Sequence, residues 1–271
     1  HKSLVLYDNT NKSFGVDSFK TVEGRFKEIR FNRSLDENYE IISYAIKKND
    51  AGVECAKENV KANKGFYDEL SKLNLFESSN LKKDLFEGCF PLNPITVYSL
   101  ISISELVAQN ERTLFTFLSD TDDDSFNSFL HANDSGLFNI DKIYDYFGGL
   151  FQKEETNYIR NIWYRAESIL SKLPELNERR VIKGLSIILM INNFEKLSPS
   201  EELLSLSLSM DKKIVHTILN KLIENHYLRK NILNNLLSFA LSNTKHIDES
   251  IEFFSKTKFK NIKYNEFASI I

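Results

Sequence analysis

The chain has 271 residues, 42% hydrophobic and 27% charged, with a net charge of −3. Those proportions exclude wholesale disorder, and the charge offers no global attraction to nucleic acid or to an anionic membrane. Four prolines and nine glycines are few for this length, which argues for helices joined by short links rather than a turn-rich sandwich.

In chain order, Ser3–Tyr7 and Lys27–Phe31 read as short strands. Ser34 and Glu37 form a capping box before a helix with Tyr39, Ile42 and Ile46 on one face. A polar helical stretch runs to about Asn63, and a helix from Phe66 to about Phe76 follows. Asn93 is the expected N-cap of the next helix, and Pro94 stands at its first position, where a missing N–H costs nothing. That helix carries Ile95, Val97, Tyr98, Leu100, Ile101, Ile103, Leu106 and Val107 around most of its circumference, so it should be central and buried. A second apolar helix covers Thr113–Leu118.

Asp120–Asp124 reads as a solvated loop; its sixth position is Ser125 and its twelfth His131, which excludes a calcium loop. Helices are expected near 124–131, 141–150 and 155–173, the last with Trp163 and ended by Pro174. Val181–Asn192 reads as another buried helix. Ser198 and Glu201, with Pro199 between, form a capping box for a short helix to Ser207. After a turn at 209–211, the pairs Ile214-Val215, Ile218-Leu219 and Leu222-Ile223 make a one-sided helical stripe. Asn225-His226 ends it, and Tyr227-Leu228-Arg229 begins an extended segment. Two helices, a tight turn and a strand make a winged helix-turn-helix order.

Candidate chemistry is sparse. There is no Gly-Lys dipeptide, hence no Walker A loop to cradle phosphate. Cys55 and Cys89 have no CxxC partner and read as buried free thiols of a reducing compartment, the cytoplasm. The five histidines, His1, His131, His216, His226 and His246, include no i, i+4 pair, so no metal site is expected. Arg25, after Gly24 at a surface turn, is a candidate to stabilise transferring phosphate in a neighbouring subunit. Arg112, between two apolar helices, needs a partner, either Glu105, Glu111 or a nucleotide phosphate. Lys212, Lys213, Lys221 and Arg229 are candidate nucleic-acid contacts on the last helix and strand.

Three segments together carry a resemblance: Val22–Phe26 (VEGRF), Phe90–Thr96 (FPLNPIT) and Ser104–Leu118 (SELVAQNERTLFTFL). They resemble a group of bacterial AAA+/STAND-like P-loop ATPases, some encoded beside restriction and phage-defence systems. Asn93 stands where that pattern has histidine. The resemblance implies a mainly α chain with a small α/β remnant of an ATPase core (1–33), a helical lid (34–175) and a winged-helix unit (176–271). It also implies Arg25 as arginine finger and Arg112 as a sensor-like residue facing ATP phosphate. The chain alone would then bind no cofactor and catalyse nothing, ATP and Mg being held by the full-length protein. It would couple nucleotide state to partner subunits or DNA, with no membrane partner. The rival expectation is a stand-alone winged-helix DNA-binding or adaptor protein.

Overall fold

The computed structural model describes residues 35–73, 75–76, 81–107, 111–132, 136–154 and 156–240, without the side chains of Lys82 and 111–113. The expected strands at 3–7 and 27–31, and the ATPase remnant, lie outside the described residues.

Helices dominate what is described, and only one small sheet accompanies them. The first three are α1 (Leu35–Ala45), α2 (Asp50–Ala62) and α3 (Lys64–Leu70), followed by a π-helical segment, Leu81–Glu87. The helix expected to reach Phe76 therefore stops at Leu70, although Leu75 and Phe76 are buried. The π-helical segment packs on α1 and α2. Its exit is tight, because a β-carbon on Gly88 would meet Asp84 O at 2.4 Å and Ser43 Oγ at 2.3 Å. Only glycine fits there.

The centre of the bundle is α4 (Pro94–Val107), which begins where the Pro94 signal placed it. Ten of its residues are buried, from Pro94 to Ser104. Leu106, expected inside, is 44% exposed, although its neighbour Val107 still packs against the core. Then come α5 (Glu111–Ser119), α6 (Phe126–His131), α7 (Ile140–Lys153), α8 (Asn157–Leu170) and α9 (Leu176–Ile191). Phe117 packs its ring against Phe126, Phe138, Tyr146 and Phe147, joining α5, α6 and α7. Asp120 orders its loop, accepting from Tyr146 Oη at 2.8 Å and from the Thr121 and Asp122 N–H groups.

The last part is α10 (Glu201–Leu208), α11 (Lys212–Glu224), β1 (Leu228–Lys230) and β2 (Leu237–Phe239). Ser200, not Ser198, caps α10, accepting from Leu203 N at 3.2 Å. Ser209 closes α10 in the left-handed region (φ 50°), and Asp211 caps α11. Strands β1 and β2 pair antiparallel, Leu228 opposite Phe239, and Leu237 N donates to Pro199 O at 2.7 Å. Val215, Ile218, Leu219 and Leu222 face the core as the stripe requires. Ile214 does not; it is 48% exposed, in the first turn of α11.

Helix α9 is shared by both parts of the bundle, packing on α4, α7 and α8 and on α10 and α11. At Gly184 the approach is close on both sides: an added β-carbon would lie 3.1 Å from Ile140 Cγ2 of α7 and 3.2 Å from Leu208 Cδ2 of α10. From Leu35 onward the described residues make one compact unit.

Both thiols are free, as expected, but only Cys89 is buried; Cys55 lies exposed on α2. Burial pushes the Cys89 thiol up to about 12, so it stays protonated at neutral pH. Ellman's reagent should titrate one thiol quickly in the native chain and the second only in denaturant. Two fast thiols would contradict this packing.

Candidate functional site

The described residues that converge with defined polar geometry lie where α4, α7 and the α10–α11 turn meet. Asn93 is fully buried. Its Oδ1 accepts from Ile95 N at 2.9 Å, which caps α4. Its Nδ2 faces four acceptors: Leu206 O at 2.8 Å, Asn139 Oδ1 at 3.0 Å, Ser209 Oγ at 3.2 Å and Ser207 O at 3.5 Å. Ser209 Oγ in turn donates to Asn139 Oδ1 at 2.8 Å. One amide thus ties the start of α4 to the residue preceding α7 and to the end of α10. Such closed networks are rigid, because each partner would be orphaned in a low-dielectric interior if another left.

An ion-pair ladder runs beside this hub. Arg180 of α9 gives Nε to Asp141 Oδ2 at 2.9 Å and Nη2 to Leu208 O at 2.9 Å, bridging α7 to the end of α10. Asp141 Oδ1 is buried with no hydrogen-bond partner among the described residues. One turn on, Lys183 Nζ meets Asp145 Oδ1 at 2.5 Å. Burial pushes the Asp145 carboxyl up despite this lysine's opposing pull. Lys221 of α11 donates to the buried Glu178 of α9, and that hydrogen bond raises the lysine's pKa. The ladder therefore joins α7, α9, α10 and α11 through charge-assisted bonds. On the outer side, a cleft of about 540 Å³ between α2, α3 and α10 is lined by Asn59, Asn63, Phe66, Ser205 and Ser209.

The residues singled out from the sequence do not form one site. Arg25 lies outside the described residues, and so does the side chain of Arg112, whose backbone is in the first turn of α5. Lys212, Lys213 and Lys221 are exposed on α11, and Arg229 is exposed on β1. Lys212 stands 3.9 Å from Glu202, and Lys221 is held by Glu178. Two of the three lysines of α11, Lys212 and Lys221, thus stand beside acids, while Glu201 bonds His216 and Asp211 caps the helix. Among the described residues no group of three or more His, Cys, Asp or Glu could hold a metal, and no helix is long and apolar enough to cross a membrane.

Sequence reasoning marked Asn93 only as a cap and missed Asn139, Ser209, Asp141, Arg180 and Glu178. Their partners lie 46 and 116 residues from Asn93, 39 residues apart for Arg180 and Asp141, and 43 for Lys221 and Glu178. No local pattern announces such pairs. In comparisons with protein-family models, curated proteins and solved structures, nothing matches this chain.

Proposed function

We propose that the chain is the coupling part of a P-loop ATPase, a helical lid followed by a winged helix-turn-helix unit, with a role in anti-phage defence. It relays nucleotide state to a partner and performs no chemistry itself. The observation that carries this reading is the Asn93 hub. In this reading Arg112, beyond the C-terminal end of α4, senses the ATP phosphate, with Arg25 as arginine finger toward a neighbouring subunit. The 14 residues of α4 span about 21 Å, so the helix acts as a lever between that end and the hub. A shift of α4 cannot be absorbed at Asn93 without breaking buried bonds, so it must move the α10–α11 turn. The order α9, α10, α11, β1, β2 supports the winged-helix assignment, and the charge matching on α11 favours coupling over a stand-alone DNA reader working through that helix.

The test has two arms. Calorimetry on this chain should give no ATP binding, because no phosphate cradle is present in its sequence. The reading frame upstream of His1 should encode GxxxxGKS/T, and the longer protein should hydrolyse ATP, with Arg112→Ala lowering turnover more than stability. Micromolar ATP binding by this chain alone, or an Arg112→Ala protein with unchanged turnover, would refute the assignment.

A further inference from the structure

Beside β2 lies a groove of about 450 Å³, walled by α8 on one side and by the connection from α9 to α10 on the other. Its apolar lining includes Tyr158 and Phe194, which are 43% and 37% exposed. The Tyr158 ring is fixed, because its hydroxyl donates to Leu189 O at 2.8 Å. Arg165 is the only charged residue among those lining the groove, and it makes no ion pair or hydrogen bond among the described residues. The strand edge here is open. Asn231 N donates to Leu236 O, and Ala240 N to Tyr227 O, so these are hydrogen-bonded pairs of the ladder. Alternation then makes Lys230–Leu237 and Leu228–Phe239 the pairs without mutual bonds. The N–H and C=O groups of Leu237 and Phe239 therefore point away from β1. Leu237 N does so visibly, donating to Pro199 O at 2.7 Å. One rung further on, Phe239 N and Phe239 O have no partner among the described residues, and Phe239 and Pro199 both line the groove.

We infer that this groove is the docking site for an extended segment of a partner protein, which adds a strand beside Phe239 and sets an aspartate or glutamate against Arg165. The inference names the kind of partner in the coupling reading above and rests on that reading only for what the contact achieves. Each feature fits this occupant. An unspent N–H and C=O on one strand edge are what an added strand bonds, and an extended backbone offers both in return. Its alternate side chains meet the exposed rings of Tyr158 and Phe194. A lone guanidinium in a groove without acids selects a carboxylate, to which it can give two parallel bonds. A nucleic-acid strand would stack on the two rings, but one cation gives it little hold, and it leaves the edge of β2 unused. The groove also lies where a relay needs it. Pro199 precedes Ser200, the cap of α10, and Leu206 of the same helix is bonded by Asn93, so a displaced α10 moves one wall of the groove.

The experiment probes this 271-residue chain with an array of N-acetylated heptapeptides varied at every position, and then with the tightest of them in solution by fluorescence anisotropy. Bound peptides should share an aspartate or glutamate flanked by apolar residues. Arg165→Ala should weaken the tightest peptide by about tenfold with an unchanged melting curve, since the side chain is exposed. Arg165→Glu should exchange the acidic preference for lysine or arginine at the same peptide position. Methylating the peptide amides one at a time should abolish binding only at positions that bond the edge of β2, and exchange of the Phe239 amide hydrogen should slow in the complex. The inference fails if no heptapeptide binds, if the bound peptides show no acidic preference, or if Arg165→Glu leaves that preference in place. A flat methylation scan with unprotected Phe239 also sinks it, because the contact would then involve side chains alone. A labelled oligothymidine strand that binds, and is released by Arg165→Ala, would assign the groove to single-stranded nucleic acid instead. None of these outcomes bears on ATP turnover in the longer protein, which tests the coupling reading separately.

Discussion

Asn93→Leu is expected to destabilise the chain by about 2–5 kcal/mol in urea titrations. Leucine keeps the branching of asparagine but is larger, so some overpacking at this fully buried position adds to the loss. What is lost is pairing. Ile95 N would remain buried without the amide oxygen that satisfied it, at roughly 1–3 kcal/mol, and Leu206 O would keep only the longer bond from Ser209 N at 3.3 Å. Asn139 Oδ1 would keep only the Ser209 hydroxyl. Asn93→Asp separates the two halves of the amide. Its carboxylate preserves the cap on Ile95 N but turns an acceptor toward Leu206 O and Asn139 Oδ1, so it should be at least as damaging at neutral pH. Stability losses below about 1 kcal/mol in both variants would mean that the hub is not what fixes α10 against α4.

Local signals located most helices, and their failures have physical causes. Pro94, the circumferential apolar run of α4 and the paired stripe of α11 are properties of a single helix, and each element formed where its pattern lay. Burial at element ends is a property of neighbours. Hence Leu106 and Ile214, which continue their patterns faithfully near the ends of their helices, are exposed all the same. The π-helical segment Leu81–Glu87 has no compositional signature that separates it from an α-helix, so it went unread. The capping shift from Ser198 to Ser200 shows the same limit, since two serines flank Pro199 and only the backbone geometry decides between them. For the candidate site the limit is sharper. Asn93 was visible as a cap, but its second role depends on Asn139 and Ser209 arriving from distant segments.

Leu219→Asp is expected to have the largest effect of any single change considered, and to act on the bundle as a whole. Leu219 is 3% exposed on the inner face of α11. Removing its side chain from the core forfeits about 1.5–3 kcal/mol, and burying an unpaired carboxylate there adds several more. The sum approaches the total stability of a typical domain, about 5–15 kcal/mol. How the loss is distributed depends on α9. Gly184 holds that helix against Ile140 on one side and Leu208 on the other, and Arg180 and Glu178 fasten it to α7, α10 and α11. A helix so shared cannot lose α10 and α11 and still keep its own packing complete. Trp163, the single tryptophan, lies on α8, away from α11, and its fluorescence reports the far part of the bundle. In Leu219→Asp the unfolding followed by Trp163 fluorescence should therefore coincide with that followed by far-UV circular dichroism, both moved to much lower denaturant. Lys212→Ala with Lys213→Ala, changed on the outer face, should leave both curves in place. If instead the Trp163 transition stays at its wild-type position while part of the helical signal is lost early, the chain from residue 176 onward folds as a separate unit. A lever from α4 to the α10–α11 turn would then lack the rigid connection it requires.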